Sequence, residues 1–299
     1  MPKQRDSGIE AADARLAWCC IAPALLVIVA IALVPLAWAA WASLHRNDLR
    51  MPWLGQSFVG LGNYAEAAGD ARFRESLAHT GLFTAVSVAM ELVLGLCLAL
   101  GLHRAARLRG VIRMAVLLPW AIPTVAVALV WRFMFEDGYG VISAIWSPSS
   151  GGWLVGASAA WVPLILSDAW KTTPFVALLL LAGLQTIDDG QYEAARIDGA
   201  GRARQLLHVT LPALVPTIVV ALIFRTLDAF RVFDLIYVLT GGGPGTSTET
   251  VALYTFNSLF GRLRFGYGSA LSVIVFVVTF GLALLYIRAL DPQRRGGDR

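Results

Sequence analysis

Six long apolar segments constrain this chain more than any other feature of its sequence. They cover residues 16–44, 77–102, 111–135, 159–187, 211–240 and 267–290. A helix needs roughly 20 mostly apolar residues to cross about 30 Å of hydrocarbon, and every segment reaches that length. A large soluble helical domain would instead need polar stripes at helical spacing, which these segments lack. The sequence therefore predicts an all-α integral membrane protein with six transmembrane helices.

The composition agrees with a chain that has lipid as its main solvent. Hydrophobic residues make up 57% of the 299 residues and charged residues only 15%, whereas a soluble domain has about half and about a quarter. Prolines inside the segments, such as Pro119 and Pro174, fit membrane helices, where neighbouring groups can satisfy the freed backbone atoms. The basic residues are dispersed and the net charge is only +4, so no nucleic-acid partner is expected.

The apolar segments divide the chain into a tail of residues 1–15, a membrane domain of residues 16–290 and a tail of residues 291–299. The first segment is too long for a cleaved signal peptide and has no small-residue cleavage site after it, so we expect a retained span.

Basic residues predict the orientation of the six spans, because cytoplasmic loops carry an excess of Lys and Arg. Four basic clusters fall on one side of a six-span topology: Lys3, Arg5 and Arg15; Arg104, Arg107, Arg109 and Arg113; Arg196, Arg202 and Arg204; Arg288, Arg294, Arg295 and Arg299. On the other side, the loop between the third and fourth segments contains no Lys or Arg. Both termini are therefore expected in the cytoplasm.

A short charged insert, residues 188–210, separates the fourth and fifth apolar segments. Asp188 has the position of an N-terminal helix cap. Gly199 can end the helix and let the chain turn, and Pro212 suits the start of the next span. The orientation places this insert on the cytoplasmic side.

Two charge pairs in the insert, Glu193–Arg196 and Asp198–Arg202, have the spacing of neighbours on a helix surface. Such a segment could simply connect two spans, or it could dock another protein. The residue chemistry alone leaves both interpretations open.

The stretch EAARIDGAGRARQLLHVTLP resembles the EAA loop of permease subunits from ATP-driven, binding-protein-dependent importers. The matching residues are Glu193, Ala194, Ala195, Asp198, Gly199, Ala200, Leu211 and Pro212. The resemblance implies the type I importer fold, and it implies that the insert is a coupling helix seated in a cleft of a cytoplasmic ATPase.

Other segments resemble the carbohydrate-uptake branch of the same family, the relatives of maltose and glycerol-phosphate permeases. This likeness rests on two stretches, FVGLGNY at 58–64 and FDLIYVLTGGGPGTSTET at 233–250. Two further stretches are most similar to a permease subunit of actinobacterial trehalose importers: WKTTPFVALLLLAGL and FRTLDAFRVFDLIYVLTGG. The resemblance implies a bacterial inner-membrane protein that imports a sugar, such as trehalose or a maltose-like α-glucoside, with glycerol-3-phosphate as an alternative solute. The implied partners are a second permease subunit that is usually a different chain, two ATP-binding subunits and an extracytoplasmic sugar-binding protein.

The sequence contains no G-x-x-x-x-G-K-[ST] phosphate loop, so ATP hydrolysis is expected from separate subunits. No cofactor is implied. The histidines His45, His79, His103 and His208 are scattered, so no metal site is expected.

Ionisable residues inside the fourth and fifth segments are candidates for function, because charge at membrane depth is costly. By resemblance to the maltose-type relatives, the substrate-lining positions are Asp168, Lys171, Thr172, Phe175, Arg225, Asp228, Ala229 and Val232. The chain departs from the maltose pattern by having charges where those relatives have amide or small side chains. Either the site accepts a different sugar, or these charges pair with one another while the partner subunit supplies most contacts.

Other charged residues in the segments are weaker candidates. Arg231 and Asp234 extend the alternating ladder of the fifth segment and could pair within it. Glu91 lies in the second segment, and Arg132 can extend to the interface beside Trp131.

Two rival functions remain at this stage. An intramembrane lipid-modifying enzyme would need His, Asp or Glu clustered near an interface, and the scattered histidines speak against it. A channel-like protein without energy coupling would not need the insert. The sequence favours a permease that catalyses no reaction itself.

Overall fold

The computed structural model describes residues 6–104, 109–146, 148 and 151–290. Several basic residues used for the orientation lie outside this part: Lys3, Arg5, Arg107, Arg294, Arg295 and Arg299. The regular elements of the described part are helices, and the chain divides into two compact units.

The first unit contains the chain up to Gly69 together with Thr255–Ile274. Its helices are α1 (Asp6–Ile28), α2 (Val34–Ser43) and α3 (Gly62–Gly69), with a π-helical turn at Val29–Leu33 and a 3-10 turn at Pro52–Leu54. It also contains a π-helical turn at Asn257–Gly261 and the start of the last helix.

Polar contacts hold α3 to the end of α2 in the first unit. The Asn63 amide donates to the carbonyl of Ser43 at 2.7 Å and to that of His45 at 3.1 Å. The hydroxyls of Ser43 and Tyr64 are 2.6 Å apart. These bonds satisfy carbonyls that the end of a helix leaves without intrahelical partners.

The second unit contains Asp70–Tyr254 and the chain from Val275 onward. Its helices are α4 (Ala71–Arg104), α5 (Arg109–Ala121), α6 (Thr124–Phe135), α7 (Val141–Ile145), α8 (Trp161–Leu184), α9 (Asp189–Ile197), α10 (Arg202–Gln205), α11 (Leu211–Phe230) and α12 (Asp234–Leu239). A π-helical turn, Leu206–Thr210, joins α10 to α11, and α13 (Val251–Phe256) and α14 (Phe265–Leu290) each have residues in both units.

Small residues let the long helices of the second unit approach closely. A Cβ at Gly95 of α4 would lie 2.7 Å from Cγ1 of Val176 on α8. A Cβ at Gly183 of α8 would lie 2.9 Å from a Leu214 methyl on α11. Membrane helices associate through this kind of close packing, because lipid provides no hydrophobic driving force between them. The three helices thereby form the centre of the second unit.

The described ranges contain five helices that are long and apolar enough to cross a membrane: Ala17–Ser43, Ala71–His103, Trp161–Leu184, Arg202–Phe230 and Phe265–Arg288. A sixth span results if Met114–Ala121 and Thr124–Phe135, which meet at 90°, are counted as one. The expected six-span, all-α architecture is therefore present among the described residues.

The span predicted over residues 111–135 consists of two helices, α5 and α6, that meet at a sharp bend. The break falls at Ile122–Pro123, where Pro123 has φ −55° and ψ 136°. Proline has no backbone N–H to donate, and it disfavours helical geometry in the residue before it. The chain therefore bends at this proline.

The prediction that the fifth span continues to residue 240 was wrong, because α11 ends at Phe230. The Arg231 side chain donates to the carbonyl of Leu227 at 3.1 Å, which satisfies an acceptor of the last turn. At the other end, helical backbone is continuous from Arg202, so Pro212 follows earlier helical turns instead of starting the span.

Candidate functional site

A cluster of charged side chains lies buried among α4, α8 and α11 of the second unit. Arg225 on α11 donates to both carboxylate oxygens of Glu91 on α4, at 2.5 and 2.7 Å. It also donates to Asp168 on α8 at 3.2 Å and to Asp228 one turn along its own helix. The hydroxyl of Thr172 donates to Glu91 at 2.7 Å. The cluster therefore ties three membrane helices together.

Exposure differs sharply within this cluster. The side chains of Glu91 and Arg225 are 0% and 3% exposed, that of Asp168 is 12% exposed, and that of Asp228 is 68% exposed. A buried charge is tolerated only when a partner and hydrogen bonds compensate its lost hydration. Arg225 meets this condition at every nitrogen, whereas Asp228 keeps its carboxylate accessible.

Glu91 is the residue whose importance sequence reasoning underestimated. It is a lone carboxylate in an otherwise apolar segment, and such a residue requires a partner inside the protein. The partner is 134 positions away in the chain. The hypothesis that the charges pair is confirmed for Arg225. In the part of the chain that the structure describes, Arg231 and Asp234 take part in no ion pair.

The eight positions predicted to line a substrate path fall into three groups. Asp168, Thr172, Arg225 and Asp228 belong to the buried cluster. Phe175 contacts other aromatic rings, and Lys171, one turn before it, is half-buried and forms no ion pair within the described ranges. Ala229 is 3% exposed and packs in the core with Val232, which follows the end of α11.

Three aromatic rings from three helices meet beside the charged cluster. Trp120 of α5 stacks on Phe175 of α8 with ring centres 5.7 Å apart and an angle of 16°. Phe224 of α11 contacts Phe175 edge-on at 6.4 Å. Trp120 and Phe224 are 49% and 57% exposed. We call Trp120, Phe175 and Phe224 the aromatic face.

Sequence reasoning missed Trp120 and Phe224 as members of this face. Phe224 and Asp228 are four residues apart on α11, as are Lys171 and Phe175 on α8, so each pair shares one side of its helix. This four-residue spacing could have indicated from the sequence that Phe224 lies on the same side of α11 as Asp228. The two helices therefore combine the rings of Phe175 and Phe224 with an exposed carboxylate and a half-buried ammonium.

The charged insert forms the short helix α9. The Asp188 side chain accepts from the N–H of Gly190 at 2.9 Å, which confirms the predicted cap. Gly199 has φ +73°, and Ala200 and Gly199 donate to the carbonyls of Ala195 and Arg196 at 2.8 and 3.0 Å. This is the Schellman arrangement that ends helices. The prediction that Gly199 breaks the helix is confirmed.

The surface of α9 is open. Glu193, Ala194 and Asp198 are exposed, Ala195 and Ala200 are half-buried, and Ile197 is 87% exposed. Leu211 and Pro212, the other residues of the EAA match, begin α11. Within the described residues, the pairs Glu193–Arg196 and Asp198–Arg202 do not form ion pairs, so these charges remain accessible.

A polar cavity of about 400 Å³ lies within the first unit. Asp48 accepts hydrogen bonds from the Arg50 side chain at 2.5 and 2.9 Å, and Arg264 donates to both oxygens of Glu66 at 2.7 Å. The hydrogen bonds from Arg50 lower the pKa of Asp48 to about 2. The cavity is thus lined by ionised side chains that largely pair with one another.

Among the described residues, no three His, Cys, Asp or Glu side chains are grouped so as to hold a metal ion. His45, His79 and His208 each contact a backbone carbonyl.

The sequence matches the family model of the binding-protein-dependent transport system inner membrane component over residues 91–296. It is 41% identical over 291 residues to the trehalose/maltose transport system permease protein MalF of Thermococcus litoralis, covering 96% of this chain and 98% of the relative. It is 41% identical over 292 residues to the trehalose transport system permease protein SugA of Mycobacterium tuberculosis, covering 98% and 94%. It is 37% identical to the sulfoquinovosyl glycerol transport system permease protein SmoG of Agrobacterium fabrum, covering 95% and 93%.

Among solved structures, the chain is similar to a bacterial alginate ABC transporter in complex with an alginate pentasaccharide-bound periplasmic protein. The TM-score is 0.78 at 21% identity, and the match covers 94% of this chain and 97% of the other. This likeness concerns the fold, and it confirms the expected type I importer architecture.

Proposed function

Because the chain belongs to the family of binding-protein-dependent transport system inner membrane components, we propose that it forms a translocation path for a sugar together with a second permease subunit. Members of this family are permease components of ABC importers, so the chain itself catalyses no reaction. The proposed cargo is a disaccharide such as trehalose or a maltose-like α-glucoside. The observation that carries this proposal is the aromatic face beside the exposed carboxylate of Asp228.

Rings and carboxylates are the groups that suit a polyol. A ring stacks on the apolar face of a sugar, and a carboxylate accepts hydrogen bonds from its hydroxyls. Trp120 and Phe224 leave about half of their surface free for such contact. The 41% identical relatives are named for trehalose and maltose, which favours the same class of cargo here.

We further propose that α9 is the coupling helix of this permease and binds one of two cytoplasmic ATP-binding subunits, while the other subunit binds the second permease. Ile197 is an apolar side chain left 87% exposed beside Glu193 and Asp198, and a docking partner would remove this apolar surface from water. Helical backbone continues from Arg202 to Phe230, and this helix carries Phe224, Arg225 and Asp228. A displacement of α9 would therefore pass through the turn at Gly199 into the helix that carries part of the aromatic face.

We propose that the second permease subunit, a different chain, packs against the first span. No residue in the most apolar part of Ala17–Ser43 is buried by the described part of this chain, so this helix has its surface free for such a contact. An external sugar-binding protein would deliver the cargo, ATP-driven closure of the ATPase subunits would turn the path outward, and release of the hydrolysis products would reset it. This mechanism requires the protein in a cytoplasmic membrane with both termini and α9 on the inner side.

The test is sugar uptake by the complete importer. This chain, the second permease subunit and the ATPase subunits are reconstituted in vesicles with ATP inside and the binding protein outside. Uptake of radiolabelled trehalose, maltose and glycerol-3-phosphate is then measured. We expect ATP-dependent disaccharide accumulation. Accumulation of glycerol-3-phosphate alone, or release of a chemically altered lipid without transport, would contradict the proposal.

A further inference from the structure

The guanidinium of Arg225 is fully engaged by carboxylates. Its Nε and Nη2 donate to Glu91, Nη2 also donates to Asp168 at 3.2 Å, and Nη1 donates to Asp228. Only 3% of the side chain is exposed. A guanidinium recognises phosphate or sulfonate through two parallel hydrogen bonds from its free edge. Glu91 already occupies the Nε–Nη2 edge in this way, so Arg225 offers no such edge to a substrate.

Carboxyl groups outnumber basic side chains at this site. Glu91, Asp168 and Asp228 supply three carboxyl groups, and the basic side chains are those of Arg225 and Lys171. The accessible member is the carboxylate of Asp228, at 68% exposure. An ionised carboxylate accepts hydrogen bonds but donates none, and it repels an anion.

We propose that Glu91 makes this a site for uncharged sugars. By holding Arg225, Glu91 leaves an acceptor surface that binds hydroxyl groups and disfavours phosphorylated, sulfonated or carboxylated sugars. Glu91 is thus a positioning residue that acts through Arg225 and determines the charge selectivity of the path. This inference rests on the proposed function, because it assumes that a sugar passes the aromatic face.

The experiment measures sugar binding to the purified complex of both permeases and the ATPase subunits. The binding protein is left out, so that its own selectivity does not filter the probes. Saturation-transfer NMR gives the apparent Kd of trehalose and of trehalose 6-phosphate. For the unaltered complex, we expect trehalose to bind about tenfold more tightly than its 6-phosphate, a difference of roughly 1.4 kcal/mol.

Two variants test the role of the carboxylates. Glu91→Gln keeps the shape and removes the charge that holds Arg225, and Asp228→Asn removes the accessible charge where the side chain is 68% exposed. Both are expected to lower the preference for trehalose over the 6-phosphate, Glu91→Gln by about tenfold. Glu136→Gln is the matched control, because Glu136 pairs with Arg132 at 3.8 Å outside the cluster. The preference of this variant complex for trehalose over the 6-phosphate should not change.

The outcomes separate this inference from the proposed function. Equal binding of both sugars to the unaltered complex, or an unchanged preference in both variants, overturns the inference even when vesicle uptake is normal. Absence of disaccharide uptake by the complete importer defeats the proposed function instead. If the complex with Glu91→Gln does not assemble, the sugar preference of the Asp228→Asn complex tests the inference by itself.

Discussion

Arg225 on α11 and Glu91 on α4 form a two-bond ion pair, with distances of 2.5 and 2.7 Å and side chains no more than 3% exposed. The pair joins two membrane helices at a buried position, where either charge alone would lack compensation for its lost hydration. Its arrangement explains how Arg225 can lie within a membrane-spanning helix. It also leaves one carboxylate, that of Asp228, for contact with a passing molecule.

Removing one member of this pair should destabilise the permease strongly. Arg225→Ala leaves the Glu91 carboxylate buried without its cation, and the expected loss is about 3–5 kcal/mol of unfolding free energy. Unfolding of the detergent-solubilised complex by heat or denaturant measures it. Arg132→Ala, which breaks an exposed pair with Glu136 and an exposed hydrogen bond to the carbonyl of Val238, should cost only about 1 kcal/mol. Similar losses for both variants would contradict the structural role of Arg225.

The aromatic face should contribute to cargo affinity through ring area. Trp120→Ala removes the ring stacked on Phe175, and we expect sugar binding to weaken by about tenfold, the effect of roughly 1.4 kcal/mol. Trp120→Phe keeps a ring and should retain most of the affinity. Saturation-transfer NMR on the purified complex measures both. Equal affinity for the alanine and phenylalanine variants would exclude stacking on this face.

Ile197 should anchor the ATPase subunits. Ile197→Asp places a charge where an apolar contact is expected, so ATPase subunits should dissociate during purification and uptake should fall by about tenfold or more. Ile197→Val retains the apolar character and should leave assembly intact. Co-purification with a tagged permease measures the association. Full ATPase recovery with Ile197→Asp would refute docking at this side chain.

Gly199 should be required for the shape of the loop that follows α9. Its φ of +73° is left-handed, and no heavy atom lies within 4 Å of a Cβ built there, so Gly199→Ala introduces backbone strain without a steric clash. The expected cost is about 1–2 kcal/mol, seen as weaker ATPase association in the co-purification assay. Gly199→Asn should be milder, because asparagine tolerates this conformation. The prediction fails if alanine behaves like glycine.

Gly95 should control the packing of α4 against α8. A methyl group at this position meets the Val176 side chain at 2.7 Å and the backbone nitrogen of Ala177 at 3.3 Å, so Gly95→Ala should cost about 1–3 kcal/mol. Gly101→Ala is the matched control on the same helix, since nothing lies within 4 Å of its Cβ. Thermal unfolding compares them. If the two variants melt at the same temperature, the helices do not pack as closely as described.

The local features of the chain could be predicted from the sequence. Long apolar segments give membrane helices because hydropathy is a property of consecutive residues. The cap by Asp188 and the helix end at Gly199 follow from residues within a few positions of each other. The family likeness of the insert also lies in one continuous stretch. These features were predicted and are present in the structure.

Helix packing alone determined the site. Arg225 meets Glu91 and Asp168 across 134 and 57 positions, and Trp120 meets Phe175 from a different helix. Hydropathy and capping residues predict the secondary structure of each segment. They do not indicate which faces of two helices that are distant in sequence come into contact. That choice depends on close-packing residues such as Gly95 and on where the chain bends, as it does at Pro123. The tertiary structure therefore decided which charges are neutralised and which carboxylate stays accessible.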